Sequence, residues 1–159
     1  MKSVYGFVIE PKGERYNNSK KVGDREAIVK AVPILSETDI KVGDTVIVHH
    51  NVFRRWYNQY AEEKNSASFF NEKTYIVYPD QIYAYKRNNY WKPLKGYLFL
   101  QPLEETNELY NEKEQLRGVV VYSDGTIEKN SLVQFKARSK FEFVIDGQRL
   151  YRVRSNSIT

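Results

Sequence analysis

Phe141-Glu142-Phe143-Val144-Ile145-Asp146-Gly147-Gln148-Arg149-Leu150-Tyr151-Arg152-Val153 sets the fold class. Side chains of an extended chain alternate between two faces, so Phe141, Phe143 and Ile145 share one face and Tyr151 and Val153 share one on the return segment. Asp146-Gly147 between them is a two-residue loop, and glycine accepts the positive φ that a type I′ turn demands. The stretch reads as a β-hairpin.

Working outward, the same kind of segment recurs through the chain. Phe7-Val8-Ile9-Glu10-Pro11 and Leu98-Phe99-Leu100-Gln101-Pro102 share one pattern: three apolar residues, an acid or amide, then proline. A polar stretch follows each, Lys12 to Asp24 and Glu104 to Gln115. Arg25-Glu26-Ala27-Ile28-Val29 then matches Arg117-Gly118-Val119-Val120-Val121, and Asp44-Thr45-Val46-Ile47-Val48 matches Ser131-Leu132-Val133-Gln134-Phe135. Tyr75 to Ile82 and Tyr151 to Ile158 close the two series. Four blocks in the same order make an internal repeat. Each is short, rich in Val, Ile, Tyr and Phe, and bounded by turn formers such as Lys41-Val42-Gly43-Asp44 and Ser123-Asp124-Gly125, which is the signature of strands.

The halves differ in length at one place. Val48 to Tyr75 spans 27 positions but Phe135 to Tyr151 only 16, so the first half carries an insertion within residues 50–70. The i, i+1, i+4 spacing of Trp56, Tyr57 and Tyr60 suggests one or two helical turns there. Lys86-Arg87-Asn88-Asn89 reads as a polar boundary between the halves. The expected organisation is all-β: two tandem small barrels over 1–86 and 91–159, joined by a linker at 87–90.

Composition agrees with strands and limits the chemistry. Of 159 residues 41% are hydrophobic, enough for a core, and 13 Tyr and 8 Phe fit half-buried pleated surfaces. The absence of cysteine excludes disulfides, thiolate nucleophiles and Cys-ligated zinc. The net charge of +5 invites a nucleic-acid reading, but 25 basic residues are interspersed with 20 acidic ones, as on a mixed solvated surface. No apolar run approaches the roughly 18 residues that span a bilayer, and Met1 to Gly6 carries no signal-peptide pattern. These points lead to the expectation of a cytoplasmic protein, in a host cytoplasm or a virion assembled there, with no membrane partner.

The Lys41-Val42-Gly43-Asp44-Thr45-Val46-Ile47-Val48 block, the closing strand from Tyr75 to Ala84, and Lys92-Pro93-Leu94 at the head of the second half together resemble the GroES-type co-chaperonins. The resemblance covers nearly the whole chain, counted as two copies; plastids have tandem members and phages divergent ones. It implies two GroES-like barrels that self-associate into a ring and cap a chaperonin ring, with no catalytic site and no cofactor. It also implies docking through the loop after the first strand, where Tyr16 and Val22 in one half and Leu109 and Tyr110 in the other are the apolar residues available. Neither loop contains the family's apolar tripeptide, and the family's roof hairpin is reduced to short connections after Val32 and Val121.

Other motifs carry less. His49-His50, read as strand-end histidines, would point to opposite faces and so cannot easily share one metal. There is no Gly-x-Ser-x-Gly elbow and no phosphate-binding glycine loop, which leaves an enzyme without a motif. Phe53-Arg54-Arg55-Trp56-Tyr57 interleaves arginine with aromatics, a composition shared by protein hot spots, single-strand nucleic-acid grips and plain packing. Tyr83 to Lys92 reads as inter-repeat packing first and partner contact second. Three functions follow: a chaperonin cofactor, a structural or assembly module of a phage-like particle that kept the barrel and lost docking, and a nucleic-acid-binding barrel, which the even spread of acids disfavours.

Overall fold

The computed structural model describes residues 2–3, 5–12, 26–35, 37–103 and 115–159. Tyr16, Val22, Leu109 and Tyr110 lie outside the described residues. Within them the chain is all-β, with short 3-10 turns and no helix long and apolar enough to cross a membrane. It divides into two compact units, Met1–Tyr90 and Trp91–Thr159.

The first unit contains β1 (Phe7–Pro11), β2 (Glu26–Ala31), β3 (Thr45–Val48), β4 (Arg55–Tyr57), β5 (Glu63–Asn65), β6 (Phe69–Asn71), β7 (Thr74–Val77) and β8 (Ile82–Arg87). With β9 (Tyr90–Pro93) they form a sheet in the order β6-β7-β1-β2-β3-β8-β9, while β4 and β5 pair separately. Only the 3-10 turn Pro79–Gln81 separates β7 from β8, yet the two strands stand on opposite sides of β1-β2-β3. In a flat sheet they would lie four strand spacings apart, about 19 Å. The five links from Val77 to Ile82 reach at most about 18 Å when fully extended, and the turn shortens them further. The sheet must therefore curl.

The second unit repeats this plan with β10 (Tyr97–Pro102), β11 (Gln115–Tyr122), β12 (Leu132–Lys136), β13 (Phe141–Ile145) and β14 (Gln148–Arg154), ordered β12-β11-β10-β14-β13. After the 3-10 turn Ser155–Ser157 the chain reaches back to the far edge, where Ile158 bridges Phe135. The hairpin expected at Asp146-Gly147 forms, with φ of 51° and 79° at the two loop residues. The strand pairings define curled sheets and do not include a closed barrel.

The repeat extends to individual hydrogen bonds. A bulge lies between Val8 and Ile9 on β1 and between Phe99 and Leu100 on β10; Ile9 faces Val29 as Leu100 faces Val120. Gly43 N–H donates to the Val29 carbonyl at 2.9 Å, and Asn130 N–H to that of Val120 at 2.8 Å. Both turn residues have positive φ, which glycine adopts freely and asparagine tolerates. Val48 faces Ile82 as Phe135 faces Ile158. The core of the second unit contains Leu98, Leu100, Val120, Val133, Phe135, Tyr151 and Val153, with Ile127 and Ile158 against it. At the matching positions Phe7, Ile9, Val29, Val46, Val48, Tyr75, Val77, Ile40 and Ile82 are all buried in the first.

Four sequence readings change. The second pair of blocks is displaced by one residue: the ladders match Glu26 to Arg117, and hence Ala27 to Gly118, instead of Arg25 to Arg117. The small residue is the true anchor, because a Cβ on Gly118 would lie 3.1 Å from the Gln101 carbonyl of the adjacent strand. Helical turns do not form around Trp56; β4 and β5 make a hairpin there instead. Residues 87–90 hold the end of β8, a tight turn at Asn88-Asn89 with φ of 53° and 61°, and the start of β9. Finally, β3 ends at Val48, so His49 and His50 escape strand alternation and their rings stack at 4.1 Å.

Candidate functional site

The added hairpin is where the first unit departs from the second, and it gathers most of the singled-out interface residues. Its strands pair Arg55 with Asn65, Trp56 with Lys64 and Tyr57 with Glu63. Asn58 closes the tip: its N–H donates to the Glu62 carbonyl at 3.0 Å, and its Oδ1 accepts from the N–H groups of Tyr60 at 2.9 Å and Glu62 at 3.0 Å. Ala61 completes the loop with φ of 59°, the left-handed residue of a three-residue hairpin loop where glycine is usual. Its Cβ is why a glycine-based hairpin signal is missing from the sequence.

The five predicted interface residues separate into three roles. Phe53 is buried, edge-on to Tyr75 at 4.8 Å, and it pins the insertion to β7 with the buried Val52. Arg54 and Trp56 share a face, the guanidinium lying 5.1 Å from the indole centroid, a cation–π contact. Arg55 and Tyr57 share the other, with Arg55 3.7 Å from Glu63. Tyr57 is 54% exposed and Tyr60, which the sequence suggested only as part of a helix, is 72% exposed. The base is tied down: the Ser66 hydroxyl donates to the Val52 carbonyl, and Ile76 N–H donates to the Ser68 carbonyl at 2.8 Å. In the Tyr83–Lys92 cluster, Tyr83, Tyr85 and Trp91 are buried and Tyr90 is exposed.

At the other end of the sheet, the Val-Gly-Asp turn carries a polar clasp that local sequence did not announce. Asp44, buried, accepts from Lys41 N–H at 2.8 Å and from Arg87 through Nη2 at 2.7 Å and Nε at 3.1 Å. Arg87 also donates to the Asp39 carbonyl. Burial alone would raise the Asp44 carboxyl, but the Arg87 hydrogen bonds, the Lys41 N–H and the guanidinium charge outweigh it and hold the group below its ordinary value. The clasp ties the β2–β3 connection to the end of β8, beside an open depression lined by Val32, Glu37, Thr38, Asp39, Ile40, Lys41 and Val42. Ile34, Leu35 and Val42 are exposed on this connection. The shorter connection of the second unit turns on Asp124, which accepts from Gly96 N–H at 2.6 Å and from the Thr126 hydroxyl at 2.6 Å.

Among the described residues no three His, Asp or Glu side chains converge as a metal cluster would. Comparison with known proteins finds no matching family model and no matching curated protein.

Proposed function

We propose that the protein is a binding protein of the co-chaperonin type, two GroES-like small barrels in tandem that cap or assist a chaperonin ring during protein folding, with no catalytic site of its own. One observation carries this reading: one sheet plan occurs twice with the same bulge, and the same long connection leaves the same place in each. Lys12 N–H bonds the Glu26 carbonyl at 3.0 Å and Leu103 N–H that of Arg117 at 3.1 Å, so the two connections are rooted alike and are equal in length. In the family this reading invokes, that connection is the docking loop. The sheet edges at β6 and β13 offer strands for head-to-tail self-association, which closes into a ring when the rotation permits.

A second reading is a structural or assembly module that lacks docking, and the missing apolar tripeptide favours it. Co-sedimentation with a chaperonin ring in ADP and in ATP separates the two. Under the first reading Leu109, with Tyr110 beside it, supplies an anchor, as Tyr16 and Val22 do more weakly. Burying a leucine contributes about 1.5–3 kcal/mol, roughly 10- to 150-fold in affinity. Leu109→Ser should then abolish capping and leave the melting temperature unchanged. No capping by the unmutated protein would leave the assembly module as the better reading.

A further inference from the structure

We propose that the second unit binds single-stranded nucleic acid, with a phosphate seated in a cleft between the β9–β10 turn and the end of β14. This activity goes beyond chaperonin docking and does not depend on it. The cleft has a fixed frame. Tyr97 N–H donates to the Leu94 carbonyl at 3.2 Å across a turn in which Gly96 takes a φ of 101°, a value that glycine adopts without strain. Ser155 N–H donates to the Gly96 carbonyl at 2.9 Å, and Gly96 N–H to Asp124 at 2.6 Å. An open cleft of 190 Å³ remains, lined by Lys95, Gly96, Tyr97, Arg154, Ser155 and Asn156.

Its charge is positive. Lys95 and Arg154 are exposed, and neither pairs with a carboxylate among the described residues. Asp124 is the carboxylate beside them, and it is engaged by Gly96, by the N–H and hydroxyl of Thr126 at 3.0 and 2.6 Å, and by the Ser155 hydroxyl. The ladders place Val77 opposite Phe7 as Val153 lies opposite Leu98, so Tyr78 and Asp80 of the first unit match Arg154 and Asn156. The sheet plan itself therefore has no need of a cation there.

Strand register extends the cleft into a row of side chains. Arg154 faces Tyr97, and Arg152 faces Phe99 on one side and Phe141 on the other. Paired residues share a face, here the one opposite the core residues Leu98, Tyr151 and Val153. The Arg152 guanidinium lies 5.2 Å from the Tyr97 ring and 5.5 Å from that of Phe141, and both rings are half-buried. Cations that track phosphates beside rings that stack on bases are the means of gripping a single strand; an acidic peptide uses the cations alone.

Acids interspersed along the chain are sorted away from this row in space. Glu142 faces Tyr151, on the other side of β13, and lies 2.5 Å from Arg149. Asp146 sits in the β13–β14 turn, remote from Arg154, and accepts from Trp91. Glu128 lies on the β11–β12 connection, and the glutamate-rich β10–β11 connection leaves β10 at Pro102, the end away from Tyr97.

The test uses the full chain and a fluorescein-labelled oligothymidine, with anisotropy followed across a salt series. Lys95→Gln and Arg154→Gln together should weaken binding at least about tenfold at low salt and reduce the slope of log affinity against log salt by about 1.4, at roughly 0.7 for each single-strand phosphate contact. Both residues are exposed, so the melting temperature should not move. Tyr97→Leu should weaken binding about 5- to 150-fold, as for one stacked base, with the slope unchanged. If the unmutated chain does not bind, or the double variant keeps both affinity and slope, the site is refuted. If polyglutamate binds as tightly and loses affinity in the same variant, the occupant is an acidic protein segment. If Tyr97→Leu has no effect and a duplex competes equally, only a phosphate backbone is read. Either result overturns the single-strand assignment.

Discussion

Replacing Asp44 with alanine should destabilise the first unit by about 2 kcal/mol at pH 7. The carboxylate accepts three hydrogen bonds, at 2.7, 2.8 and 3.1 Å, and its loss would strand the Lys41 N–H that holds the turn. Because Arg87 remains partly in solvent, water replaces part of what the guanidinium loses, which keeps the cost below that of a fully buried pair. Asp44→Asn retains an acceptor for Lys41 and should cost about half as much. The pH dependence carries a definite sign. Burial would raise the Asp44 carboxyl, but its hydrogen bonds and the guanidinium charge lower it below the ordinary 3.8 on balance, so the native state binds this proton more weakly than the unfolded chain does. The contribution is present in full above the unfolded value and is lost as pH falls through the native one. Urea unfolding followed by circular dichroism at steps from pH 7 to pH 3 should show a steeper acid loss in the unmutated protein than in Asp44→Asn. The slope that remains in the variant includes Asp124, whose carboxyl burial would raise but hydrogen bonds from Thr126 and Gly96 hold down. Equal acid slopes in the two proteins, or an Asp44→Ala cost under about 0.5 kcal/mol, would refute the clasp.

Two further outcomes test local geometry. Asp146→Ala removes the acceptor that Trp91 Nε1 reaches at 3.1 Å and places alanine at a φ of 51°. It should cost about 2 kcal/mol in urea titration, with Asp146→Asn nearly neutral. Ala61→Gly relieves a left-handed alanine and should stabilise the hairpin by about 0.5–1 kcal/mol, read as slower amide exchange at Asn58 and Glu62; faster exchange there would contradict the assigned turn.

Strands and their order were legible because their causes are local. Short runs of β-branched and aromatic residues mark Phe7–Pro11 and Thr45–Val48, alternation marks Phe141–Ile145, and Asp146-Gly147 needs no distant partner to turn the chain. Where turn chemistry was atypical, local reading failed. Ala61 occupies the place of a glycine, so the spacing of Trp56, Tyr57 and Tyr60 suggested helical turns where a hairpin stands. His49-His50 looked like strand residues only because the end of β3 is set by its partner β8 and not by its own residues.

Composition and pattern by themselves determined that this chain is all-β and that its second half repeats its first. Only tertiary structure decided the register, because Glu26 aligns with Arg117 through the close approach of Gly118 to the neighbouring strand, at the position the buried Ala27 holds in the first unit, a steric fact that no single segment contains. It also decided which aromatics of one cluster are core and which are surface: Phe53 turns in to Tyr75 while Tyr57 and Tyr60 face water. The Asp44–Arg87 clasp joins residues 43 positions apart. Such a pair exists only once β3 and β8 have paired antiparallel and set the end of β8 beside the start of β3, a pairing that neither segment contains by itself.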